Sequence, residues 1–176
     1  MKKLVSLIAI SVCFLFYGCG STPSKTLSLD KRLEQNYETD KLLGNCPEEG
    51  IEVSGSFLTK AGCLTLMADR YNTRAQLLTA IPERKSEAGV WIQKSMEICE
   101  SVISNYANDP QAQNIYAVMA NNMFLLGNQA EVEQYCFRFR QAFIESVNKN
   151  SAGVMIGDSS PEVQNLPCPI LIEELK

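Results

Sequence analysis

The chain is 176 residues long, carries 16 Lys and Arg against 20 Asp and Glu, and contains no histidine. Without histidine there is no Ser-His or Cys-His nucleophilic pair, no imidazole general base and none of the commonest transition-metal ligand. The acidic balance, with no basic stripe interleaved with aromatics, argues against a nucleic-acid partner.

The first nineteen residues, MKKLVSLIAISVCFLFYGC, open with Lys2 and Lys3 and continue as an apolar run from Leu4 to Phe16. A membrane-spanning helix needs about 20 apolar residues, so a run this short reads as a secretory signal that is removed. Loss of the two lysines with it leaves a mature net charge of about −6. Gly20 to about Leu27 is rich in Ser, Thr, Pro and Lys and reads as a flexible tether.

Phe16-Tyr17-Gly18-Cys19 resembles the lipobox of bacterial lipoproteins, with Phe16 where leucine is usual and Tyr17 where a small residue is usual. The resemblance implies diacylglycerol on Cys19, which becomes the new N-terminus and anchors the chain in a membrane. Gly20 in place of the aspartate that commonly retains such proteins implies the outer membrane, with the protein facing the periplasm. The alternative is ordinary cleavage after Gly20 and a soluble periplasmic protein.

The expected organisation is a signal over 1–18, an anchor and tether over 19–28, a helical domain over 29–150, and a loop with an extended tail docked on the domain over 151–176. Leu29, Leu33, Tyr37 and Leu42-Leu43 recur at helical spacing, and Gly44 is placed to cap that helix. Asn45 to Ser56 has the Pro, Gly and Glu content of a loop, with Ile51-Glu52-Val53 too short to count as a strand. Phe57, Ala61, Leu64, Ala68 and Tyr71 form one face of a helix over 57–71. Gly62 inside it costs about 1 kcal/mol against alanine unless another backbone packs close there. A separate short helix is expected over 74–81, ended by Pro82.

Over 87–106 the stripe Ile92, Met96, Cys99, Ile103 and Tyr106 makes a strong amphipathic helix, broken by Asn108-Asp109-Pro110. Two more helices follow, 111–126 and 130–147, joined at Gly127-Asn128. The second buries Val132, Cys136, Phe139, Phe143 and Val147. Tyr116, Ala120, Gly127, Val132 and Phe139 resemble the signature positions of a tetratricopeptide repeat, with Val132 where alanine is expected. The fold class expected is therefore all-α: an antiparallel helical bundle or a short tetratricopeptide-like array, stapled by disulfides.

With Cys13 in the signal and Cys19 acylated, Cys46, Cys63, Cys99, Cys136 and Cys168 remain as candidate disulfide cysteines in an oxidising compartment. Their odd number leaves a thiol that is free or paired with a second chain, so a homodimer is one option. Cys168, set in the apolar tail Pro167 to Ile172, is expected to pair with a helical cysteine.

Gly157-Asp158-Ser159-Ser160 resembles the serine block of GDSL-type hydrolases, which need a histidine base that this chain lacks. Ser28 and Lys31 have the spacing of penicillin-binding enzymes, without the partner motifs. The expected activity is non-catalytic, with no metal or cofactor: an envelope interaction or assembly factor of the pilot or scaffold type. Tyr116, Met119, Met123 and Phe124 are its candidate partner surface. The alternatives are a structural or stress-type lipoprotein that self-associates and, more remotely, an enzyme acting through carboxylates.

Overall fold

A computed structural model describes residues 27–150, the last four by their backbone alone. The order of elements is α1 Leu29–Leu43, β1 Ile51–Val53, β2 Ser56–Leu58, α2 Lys60–Thr79, α3 Ala88–Asn105, α4 Ile115–Leu125 and α5 Gln129–Asn150, with 3-10 turns at Pro82–Glu87 and Pro110–Ala112. The architecture is all-α with one small hairpin, as the hydrophobic periodicity implies. Residues 1–26 and 151–176, with the expected signal, Cys19 and Cys168, lie outside the described residues.

Each helix packs on the next, and α2 also touches α4. Among the described residues α5 rests mainly on α4, so the helices pack in series. Three apolar clusters run through it. The largest joins Ala61 and Ala68 of α2, Cys99 and Val102 of α3, Met119 and Met123 of α4, and Val132 and Cys136 of α5. A second, around Leu33, Leu77, Leu78 and Ile92, occupies one end of the molecule. The third, around Leu43, Cys46 and Cys63, lies at the other end beneath the hairpin.

The segment expected to be a loop, Asn45 to Ser56, contains most of an antiparallel hairpin, in which Ile51 faces Leu58 and Val53 faces Ser56. Ser54 and Gly55, with φ of 51° and 78°, supply the two left-handed residues that a tight turn between twisted strands requires. Phe57 belongs to this hairpin and not to a helix, and at 61% exposure it points away from the core expected of it. The helices expected over 57–71 and 74–81 are one continuous helix, α2.

The remaining helix boundaries follow local chemistry. Thr59 caps α2 by accepting from the Gly62 amide at 3.1 Å, and the Gln111 side chain accepts from the Thr59 amide at 2.9 Å. Between α4 and α5, Gly127 has φ 74°; its amide donates to Phe124 O and that of Asn128 to Met123 O, both at 2.9 Å. This pair of bonds closes α4, and the Asn128 side chain then accepts from the Glu131 amide at 3.4 Å to open α5.

Candidate functional site

Of the four side chains expected to form a partner surface, Met119 and Met123 are buried in the main apolar cluster. Tyr116 is half-buried and Phe124 is 39% exposed, so these two alone of the set reach solvent. Helix α4 is short and nearly every residue in it is buried, because it is covered by α2, α3 and α5 at once. The next helix is different: α5 leans mainly on α4, and Phe137 on it is 56% exposed beside exposed Glu133, Gln134 and Arg138. Sequence periodicity leaves Phe137 outside the buried stripe, which is the one signal that could have marked it.

The described cysteines divide three ways. Cys46 and Cys63 form a disulfide that ties the segment after α1 to the first turn of α2. Cys136 is also disulfide-bonded, and not to Cys46, Cys63 or Cys99. Cys99, a disulfide candidate by sequence, is a buried free thiol. Burial pushes its pKa up to about 12, with the Ser95 hydrogen bond opposing. A thiol held protonated and shut away from solvent is a core residue and not a nucleophile, and it is not presented to a second chain.

Two buried polar assemblies hold the helices in register, and periodicity marked neither. In the first, Arg74 of α2 is fully buried, with its guanidinium 3.8 Å from the centre of the Tyr37 ring and 4.1 Å from that of Trp91. Its Nε donates to Asn36 Oδ1 at 2.9 Å and its Nη2 to Asp40 Oδ2 at 2.6 Å. The cation is thus stacked and paired by residues of α1 and α3, and its role is to clamp α1 onto α2.

In the second assembly, Gln76 Nε2 donates to Asn72 Oδ1 at 2.7 Å and Asn72 Nδ2 to Asn122 Oδ1 at 2.8 Å. Asn122 Nδ2 then donates to Ser95 Oγ at 2.9 Å, and Ser95 Oγ to Ala68 O at 2.8 Å. This seam joins α2, α3 and α4 through groups that satisfy one another, a structural use of polar side chains.

Among the described residues no group of three or more Cys, Asp or Glu converges as a metal site would require. The one carboxyl among them that burial lifts above its ordinary range is Asp69, with Arg70 acting against the shift. No family model, curated protein or solved structure matches this chain. No described helix is long and apolar enough to cross a membrane. The large apolar side chains that face outward among the described residues are Phe137 of α5, Phe124 of α4 and those at the two ends of the array, Leu27, Val90 and Leu126 at one and Leu42 and Phe57 at the other.

Proposed function

We propose that this is a lipid-anchored envelope protein whose helical array docks a partner protein, a non-catalytic interaction or assembly factor of the pilot or scaffold type. The observation that carries the reading is the exposure of two aromatics, Phe137 of α5 and Phe124 of α4. Exposed aromatics among polar side chains are anchors of the kind that interfaces use. Arg138, exposed next to Phe137, adds a cation of the type enriched in interfaces.

The tetratricopeptide reading of 113–147 is supported by the buried Ala120, Val132 and Phe139 and by the left-handed Gly127 in the turn. The order of packing, each helix on its successor and α2 on α4, is also what stacked helix pairs produce. The membrane anchor rests on the signal and on Phe16-Tyr17-Gly18-Cys19, and it puts the protein in the envelope, at the outer membrane and facing the periplasm.

The test is site-specific photocrosslinking in cells, with a benzoylphenylalanine at position 137 and a control at Gln93, exposed on α3. The reading expects one discrete adduct from position 137, absent from position 93 and abolished by Phe124→Asp. Equal labelling from both positions, or none from either, contradicts it.

A further inference from the structure

Three apolar side chains at one end of the array are exposed without being part of the α5 face: Leu27 at 46%, Val90 at 55% and Leu126 at 54%. Their near neighbours in sequence, Leu29, Ala88, Trp91 and Leu125, all belong to the same apolar cluster, together with Leu33, Leu77 and Leu78. The three therefore lie at the end of the array where that cluster gathers the start of α1, the start of α3 and the end of α4. The Cys46–Cys63 cluster lies at the opposite end of α2, a helix of 20 residues and so about 30 Å long.

Leu27 is also where the chain enters the described domain, and Cys19 precedes it by eight residues. Eight residues span at most about 30 Å when fully extended. An acyl group on Cys19 would therefore hold Leu27 within that distance of the lipid surface. We propose that this end rests on the bilayer surface, with Leu27, Val90 and Leu126 at the boundary between headgroups and acyl chains and the hairpin projecting away from the membrane. The proposal deepens the anchored reading and depends on it.

The occupant is lipid because the tether brings lipid to this end at high effective concentration. The exposed charges that flank these side chains in sequence, Asp30 with Lys31 and Glu83 with Lys85, cancel, so apolar contact rather than net charge sets the orientation. Three half-exposed side chains are too few to bind a free protein to vesicles, so the contact is expected in the acylated protein alone.

The chain's single tryptophan, Trp91, lies next to Val90 and is half-buried, which makes it an internal reporter. The experiment takes the full mature protein extracted from membranes, its acylation read by intact mass. It is reconstituted in vesicles of phosphatidylethanolamine and phosphatidylglycerol in which the lipids are plain or brominated in the upper acyl chain. The expected result is loss of Trp91 emission in brominated vesicles, and recovery of most of that emission in a Val90→Asp, Leu126→Asp variant that still sediments with the vesicles. Both positions are more than half exposed, so the variant keeps its fold, which far-UV circular dichroism checks. Acylated wild-type protein whose emission is unchanged by bromination, or quenched no more than the variant, overturns the proposal and leaves the anchor standing. A mass without acyl chains overturns the anchor, and the proposal with it.

Discussion

Arg74 shows how much can rest on one side chain. It is fully buried, stacked on Tyr37 and Trp91, and paired with an Asp40 carboxylate that keeps some solvent contact. An ion pair of this kind adds little when formed and costs much when half of it is removed, since a buried charge is left without its partner. Asp40→Ala is expected to lower unfolding stability by about 3 kcal/mol in urea denaturation. Replacing both partners, Asp40→Leu with Arg74→Met, is expected to recover most of that loss. A titration makes a second prediction at this scale. The native pKa of Asp69 is raised by burial, so the folded state holds its proton to higher pH than the unfolded chain. Stability therefore falls as pH rises from the ordinary carboxylate range through the native pKa, and the charged form carries that cost above it. Asp69→Asn is expected to raise Tm at about pH 7 and to leave it unchanged at about pH 3, below the ordinary aspartate pKa.

Among the elements, α2 is the centre, since it packs on α1, α3 and α4. Its first turn is built around Gly62, where a Cβ would collide with the Gln111 side chain. That side chain holds the turn by accepting from the Thr59 amide and donating to Phe57 O at 3.1 Å. Gly62→Ala is expected to cost about 1 to 3 kcal/mol despite alanine's better helix propensity, as read from the urea midpoint, because the added methyl displaces Gln111. Gln111→Ala in the same background should relieve much of it.

The same element shows what could be read in advance. Stripes of apolar residues were enough for α1, α3 and α5, and Gly44 and Gly127 were enough for two of the boundaries. The continuity of α2 was not legible, because Asn72, Thr73 and Arg74 interrupt its apolar pattern. The polar side chains that make burial tolerable there find Asn122, Asn36 and Asp40 on helices distant in sequence. Strands of three residues carry too little alternation to be seen, so the hairpin and the outward Phe57 were missed together. Of the four side chains expected at a partner surface, Phe124 is exposed as that expectation requires, whereas the burial of Met119 and Met123 was not legible, because an apolar helix on its own does not reveal how many neighbours cover it.

At the scale of the molecule, the array has two ends and the outer face of α5, each with its own chemistry. The hairpin end is closed by the Cys46–Cys63 disulfide, and the Leu27 end is apolar. The outer face of α5 carries Phe137. The cysteines tie this arrangement to the proposed address. With Cys46 and Cys63 joined to each other and Cys99 free, Cys136 has its partner elsewhere in the chain. If Cys13 leaves with the signal and Cys19 is acylated, Cys168 is the remaining choice. Non-reducing peptide mapping of the mature protein is expected to recover Cys136 linked to Cys168. Recovery of Cys168 as a free thiol contradicts this.

The measurement that bears most directly on the central claim, a domain held at a membrane through its N-terminus, is the intact mass of the protein extracted from cell membranes. The expected mass is that of a chain that begins at Cys19 and carries three acyl groups on it. An unacylated chain beginning near Ser21 would contradict it, return Cys19 to the thiol pool as a possible partner for another cysteine, and make a soluble periplasmic module of the same helical array the better description.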